Sequence, residues 1–288
     1  MAAAAAMAAT RLAGAADLTL GLHGARVRVS CGGDAARVAL VTAWIRKSAD
    51  AVVVYYGKFP VPEVNIAVTP MEGAGVGGGQ TFPGHVPHIR VGVGAAAGED
   101  ALMHADWVMV HEMIHLAFPW MDGEHNWMAE GIAVYVESIA RVQAGHLEPR
   151  QIWGDFVRAM PRGLPQEGDK GLDGTPTWGR TYWGGALFCL QADIAIRQHT
   201  DNRKGLRDAL RAINATRDFR KQWDFGETLA IGDKATGGHV LRDLYAANRA
   251  APVMTDLDAL WKSLGVLPDG GFDDKAPLAA IRLAITKA

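Results

Sequence analysis

Apolar and polar residues alternate in places between Leu18 and Ser30, most cleanly in Arg26-Val27-Arg28-Val29-Ser30, which predicts a strand or hairpin. Asp34 then stands where a helix N-cap belongs, before a helical stretch over residues 35–56 that Gly57 and Pro60 stop. Val64-Asn65-Ile66-Ala67-Val68 reads as a short strand ended by Pro70. A glycine-rich loop follows over 73–79, and residues 88–93 read as another strand. From Asp100 the pattern turns helical. One helix is predicted over 101–118, stopped by Pro119, and a second, capped by Asn126, over 127–144 with Gly145 at its end. Further helical patterns cover 182–199, 204–214, 256–264 and 277–286, while 161–180 is rich in glycine and proline and reads as a loop. There is no internal repeat. The expectation is an α+β fold, with a small strand-bearing N-terminal lobe and a mostly helical C-terminal lobe. The two form a single domain over 16–288 that divides near 120–128.

Composition narrows the function. In 288 residues, 29 basic and 31 acidic side chains leave a net charge of -2, so no basic surplus is available to neutralise phosphates, and nucleic acid is not an expected partner. Beyond the first few residues no apolar run is long enough for a stable membrane span. The glycine-rich segment is not a phosphate loop: no Lys-Ser or Lys-Thr follows Gly79, and a strand rather than a helix comes next. Two cysteines, Cys31 and Cys189, cannot make a four-thiolate site or a disulfide framework. Cys189 lies among apolar residues and reads as buried; a Cys31–Cys189 bridge would require an oxidising compartment. Residues 1–9 are nearly all alanine, and Ala13 and Ala15 form an A-x-A pattern. Residues 1–15 read as a signal-peptide remnant of a periplasmic or secreted protein, although the positive n-region is missing. The alternative is a disordered alanine-rich tail on a cytoplasmic one.

The chemistry concentrates in His111-Glu112-Met113-Ile114-His115. Histidines four apart lie on one helical face, one turn above each other, so both imidazoles can reach one ion. Glu112 follows the first histidine and projects towards the open coordination position, where it can take a proton from an activated water. The plain alternative is a helix with two surface histidines and a salt-bridging glutamate. A catalytic zinc, Zn2+, needs a third protein ligand. Asp122, Glu124, His125, Glu130 and Glu137 are the candidates. Metzincin spacing is excluded, because Phe118 and Met121 occupy the glycine and histidine positions. Asp122, Glu124 and His125 fall in a loop. Glu130 falls on the second helix, beside Gly131, where another backbone can approach closely; its plain role would be to complement the helix dipole.

His111 to His115 followed by Asn126-Trp127-Met128-Ala129-Glu130-Gly131-Ile132-Ala133-Val134-Tyr135-Val136-Glu137 resembles the gluzincin peptidases, the thermolysin-like zinc enzymes. The likeness is to the glycyl aminopeptidase and leukotriene-hydrolase-like families, whose second helix carries a W-x-x-E-G-x-x-x-Y element. The spacer of fifteen positions between His115 and Glu130 is shorter than in those families. The resemblance implies Glu130 as third ligand and Glu137 as a carboxylate supporting a ligand from behind. Arg180-Thr181-Tyr182-Trp183-Gly184-Gly185-Ala186 is similar to the element in which a tyrosine stabilises an oxyanion, with Gly184 in place of the usual lysine. That match casts Tyr182 in this role; otherwise it is an aromatic packed at a helix start. The families' amine-binding strand corresponds to Gly77-Gly78-Gly79-Gln80-Thr81, where Gln80 replaces the expected carboxylate. Gly79 and Gln80 would then belong to an edge strand against which an extended peptide could pair. The resemblance implies zinc-dependent hydrolysis of a peptide or protein substrate. Two other readings remain: a catalytically silent protein that kept the zinc site, and a zinc hydrolase of a non-peptide amide or epoxide.

Overall fold

A β-hairpin opens the fold because His23, at φ 47°, and Gly24, at φ 84°, take up the left-handed backbone that a two-residue turn requires. It joins β1 (Ala15–Leu22) to β2 (Ala25–Gly32). In the computed structural model the described residues are 15–121, 123–216 and 223–288. The signal-peptide reading therefore falls outside the described residues, except for Ala15, the first residue of β1.

Helix α1 (Ala35–Tyr56) follows, with the Asp34 carboxylate accepting from the Arg37 N–H at its start and Gly57 in the left-handed conformation at its end, as the cap signals predict. Then come β3 (Glu63–Met71), β4 (Val76–Phe82) and β5 (His88–Gly94). The sheet order is β1-β2-β3-β5-β4. β2, β3 and β5 run parallel, while β1 and β4 pair antiparallel with their neighbours. In register, Val27 faces Val64, Val29 faces Ile66, and Ile66 faces Ile89. These side chains are buried together on one face of the sheet, as the period-2 pattern demands. The predicted loop over 73–79 is corrected here. Its second half is the edge strand β4, because backbone pairing to β5 needs no side chains and tolerates glycine.

The back half is helical: α2 (Val108–His115), α3 (Asn126–Gln143), α4 (Pro149–Ala159), α5 (Gly185–His199), α6 (Leu206–Thr216), α7 (Phe225–Thr236), α8 (Val240–Asn248), α9 (Leu257–Leu264) and α10 (Ala279–Thr286). Strands in front and helices behind agree with the expected order, although the sheet is mixed and α1 already crosses over within it. The single helix expected over 101–118 is instead two pieces. A π-helical turn, Asp100–Ala105, ends at Asp106, whose backbone is extended. The Asp106 carboxylate accepts from the N–H groups of Val108 and Met109 at 2.9 and 3.2 Å, which starts α2 afresh. Asn126 is the first residue of α3 rather than its cap. Helices α4, α7 and α8 had no counterpart in the predicted elements. Cys31 and Cys189 are both buried and unbridged. No helix among the described residues is long and apolar enough to cross a membrane.

Candidate metal centre

Helix α2 packs between α1, α3 and the edge strand β4, which presents its histidine face to α3. Asp106 anchors the start of α2 from below, since it also accepts from Trp44 Nε1 at 2.7 Å. Glu130 lies on α3, and the neighbouring Gly131 allows α5 in close. A side chain at Gly131 would overlap the Gly185 backbone, and one at Gly185 would overlap the Trp127 carbonyl. That crossing brings the π-helical turn Gly179–Gly184, which carries Tyr182, against Glu130.

Three ligand atoms converge. Nε2 of His111 and Nε2 of His115 are 3.3 Å apart, and Oε2 of Glu130 is 3.3 Å from the first and 3.5 Å from the second. Donors about 2.1 Å from a tetrahedral zinc stand about 3.4 Å from one another. The three observed separations match that edge length. Two imidazole nitrogens turned towards each other and towards a carboxylate need a cation between them, or a shared proton, to offset lone-pair repulsion. The donor set therefore fits zinc.

Electrostatics agree with a cation-ready site. Burial works to raise the Glu130 carboxyl, but the hydrogen bonds and charges of His111 and His115 outweigh it and hold it down to about 2. At His115 burial opposes the charged ring, yet the Glu130 hydrogen bond and the charges of Glu130 and Glu112 raise its pKa. The Tyr182 phenol is pushed up by burial, by the charges of Glu130 and Glu112 and by a hydrogen bond to Glu130, so it stays protonated and able to donate. Its ring stacks on His111 at 6.5 Å.

Glu112 is buried against β4. Thr81 Oγ1 lies 2.7 Å from its Oε2 and 2.9 Å from its carbonyl oxygen. A Cβ at Gly79 would stand 2.5 Å from Glu112 Cγ, so only glycine leaves room for this carboxylate. Thr81 was missed in the sequence because nothing marks a threonine after a glycine run as a partner of a residue 31 positions away. Gly79 and Gln80 lie on β4 at the sheet edge and line a cleft of about 380 Å³ together with His111, Glu112, Glu130 and Tyr182.

Other candidates fall elsewhere. Glu137 is buried two turns further along α3 than Glu130, with its carboxylate 2.5 Å from Arg141 and 2.8 Å from the Ser138 hydroxyl. Burial raises its pKa, partly offset by Arg141. The expected support of a ligand is not a hydrogen bond here: among the described residues His111 Nδ1 has no partner. His125 points away, 3.0 Å from the Tyr245 hydroxyl and stacked on Phe225. Glu124 is exposed. Asp122 lies outside the described residues.

Solved structures share this fold. An aminopeptidase N family protein from Idiomarina loihiensis matches with a TM-score of 0.56 at 16% identity, over 86% of this chain and 49% of its own. An M1 zinc metallopeptidase from Deinococcus radiodurans matches at 0.51 and 16%, over 84% and 52%. A mutant M1 zinc metallopeptidase from the same organism, bound to a Tyr-Ser-Ala substrate, matches at 0.50 and 14%, over 83% and 52%. The chain thus spans about half the length of the structures it matches. No protein-family model and no curated protein matches the chain. At such identities the likeness is one of fold, and that fold is the one found in part of the M1 zinc metallopeptidases.

Proposed function

We propose that this protein is a zinc metallopeptidase of gluzincin type, a single two-lobed catalytic domain that divides near residues 120–128 and hydrolyses peptide bonds in the cleft. The observation that carries the reading is the near-tetrahedral spacing of His111, His115 and Glu130 beside the buried Glu112. The fold it shares with M1 zinc metallopeptidases supports it.

A zinc ion held by the three residues would supply Lewis acidity, polarising a carbonyl and making water acidic. Glu112 accepts the proton of the attacking water and later delivers it to the leaving amine, a general base turned acid. Thr81 holds that carboxylate in one orientation. Tyr182 donates a hydrogen bond to the developing oxyanion, a contact that strengthens as charge appears there. Helices α2 and α3 keep the site dry on its inner side, where His111 and Glu112 are each only 5% exposed.

A peptide library incubated with chelator-treated and zinc-restored protein tests the proposal. Cleavage that returns with zinc is the expected result. Zinc binding without turnover of any peptide would leave a silent scaffold or a hydrolase of another amide or epoxide.

A further inference from the structure

Three tryptophans stay in water. Trp107, Trp120 and Trp178 are 50%, 57% and 59% exposed, whereas Trp44, Trp127, Trp153 and Trp261 are buried. An exposed indole leaves a large apolar surface unpartnered, and exposed aromatics grouped in one place mark a binding surface. All three adjoin the candidate site. Trp107 directly precedes α2 and meets the His111 ring edge-on at 5.5 Å. Trp178 stacks on Tyr182 at 6.0 Å. Trp120 follows α2 and lines the cleft with Phe82, Phe118 and Met121. Aromatic surface therefore flanks the converging ligand atoms at both ends of α2, a helix about 12 Å long.

The opposite wall is β4, whose outer edge pairs with no strand among the described residues. Gly77, Gly78 and Gly79 carry no side chains, so a second extended chain can lie against that edge. Among the described residues that line the cleft, formal charge is confined to Glu112, Glu130 and the two histidines, with no lysine or arginine. Outside those four residues the walls offer a chain terminus little to pair with, and desolvating an unpaired charge is costly.

From the edge strand, the neutral walls and the rim tryptophans we infer that the cleft takes an internal, extended stretch of polypeptide carrying bulky apolar residues on either side of the bond to be cut. The inference rests on the reading of the site as a peptidase centre. Residues two apart on an extended chain project to the same face about 6.6 Å from each other. A chain laid along β4 would thus present alternate side chains to the cleft wall that Trp120 lines.

Binding can be measured apart from turnover. The zinc-loaded Glu112→Gln protein is titrated calorimetrically with short peptides, acetylated and amidated at their ends. One carries leucine and phenylalanine around the central bond, another alanine and serine, and a soluble oligosaccharide serves as third probe. The apolar peptide should bind at least about tenfold more tightly than the small-residue one. Trp120→Ala or Trp178→Ala, checked for unchanged zinc content, should collapse that ratio towards one. Equal affinity for both peptides, binding of the oligosaccharide alone, or binding of neither capped peptide would overturn the inference. Wild-type protein separates the two claims. Cleavage of both peptides at equal rates sinks the apolar preference and leaves the peptidase reading intact. Preferential binding of the apolar peptide without cleavage of either supports the cleft assignment and sinks the peptidase reading.

Discussion

The Thr81 hydroxyl stands 2.7 Å from Oε2 of Glu112 and 2.9 Å from the carbonyl oxygen of the same residue. One hydroxyl has one proton, and the ionised carboxylate is the stronger acceptor. The edge strand thereby orients the proposed base. A charge-assisted hydrogen bond contributes about 1.5–3 kcal/mol. Thr81→Val should lower kcat by about tenfold or more while KM shifts by no more than about threefold. Thr81→Ser should restore most of the loss. A valine variant with wild-type kcat would show that Thr81 has no part in orienting the base.

Two adjacent glycines should behave differently. A Cβ at Gly79 meets Glu112 Cγ at 2.5 Å, whereas one at Gly78 meets nothing within 4 Å. Gly79→Ala should displace the carboxylate and cost activity about as much as removing the base's support, on the order of tenfold to a hundredfold. Gly78→Ala should fold and leave kcat much as in the wild type, any loss falling on KM through the substrate edge. Steady-state kinetics on the pair, with circular dichroism to confirm folding, decides it; equal effects would contradict the packing argument.

Purified protein should hold about one zinc per chain, with ligand distances of roughly 2.0–2.2 Å by X-ray absorption. Glu112→Gln should retain the metal and lose most activity, because an amide accepts no proton. His111→Ala and Glu130→Ala should lose both. Metal analysis showing full zinc in Glu130→Ala would remove Glu130 from the ligand set.

Tyr182→Phe deletes a donor while keeping the ring on His111 and beside Trp178. The expected loss in kcat is on the order of 10²–10³, with KM little changed. An unaltered kcat would reduce Tyr182 to a packing residue.

Metal removal should change how stability follows pH. Without metal, Glu130 is held down to about 2 from 4.5, so its contribution is full above 4.5 and fades as pH falls towards 2. His115 is raised above 6.5, so its contribution is full below 6.5 and is lost as pH climbs through its folded value. Calorimetric Tm of the chelated protein should therefore peak between these limits. Zinc needs neutral imidazoles and competes with their protons, so added zinc should raise Tm most above pH 6.5. A zinc-induced gain that is larger at pH 5 than at pH 8 would contradict the assignment of both histidines as ligands.

The ends of α1 were legible from local signals, whereas the cap signal at Asn126 fell one residue inside α3. Asp34 and Gly57 bound α1 as expected, because a cap is decided by the few residues around it. The break at Asp106 was not legible. Residues 101–118 carry an unbroken helical pattern, and only the pull of Trp44 Nε1 and two backbone N–H groups on one carboxylate ends the first piece there. Likewise β4 looked like a loop, since a glycine run has no alternation to read; its strand character comes from β5 beside it.

By itself the sequence determined that His111 and His115 share one helix face with Glu112 beside them. Helical periodicity places residues four apart whatever the rest of the chain does. It also reserved, at Gly131, the place where a second helix could come close. Tertiary structure alone decided that Glu130 meets both histidines, that Thr81 reaches Glu112 from the sheet edge, and that three tryptophans stay exposed around the cleft. Those relationships join separate elements, and their distances follow from how α2, α3, α5 and β4 pack, which no local pattern encodes.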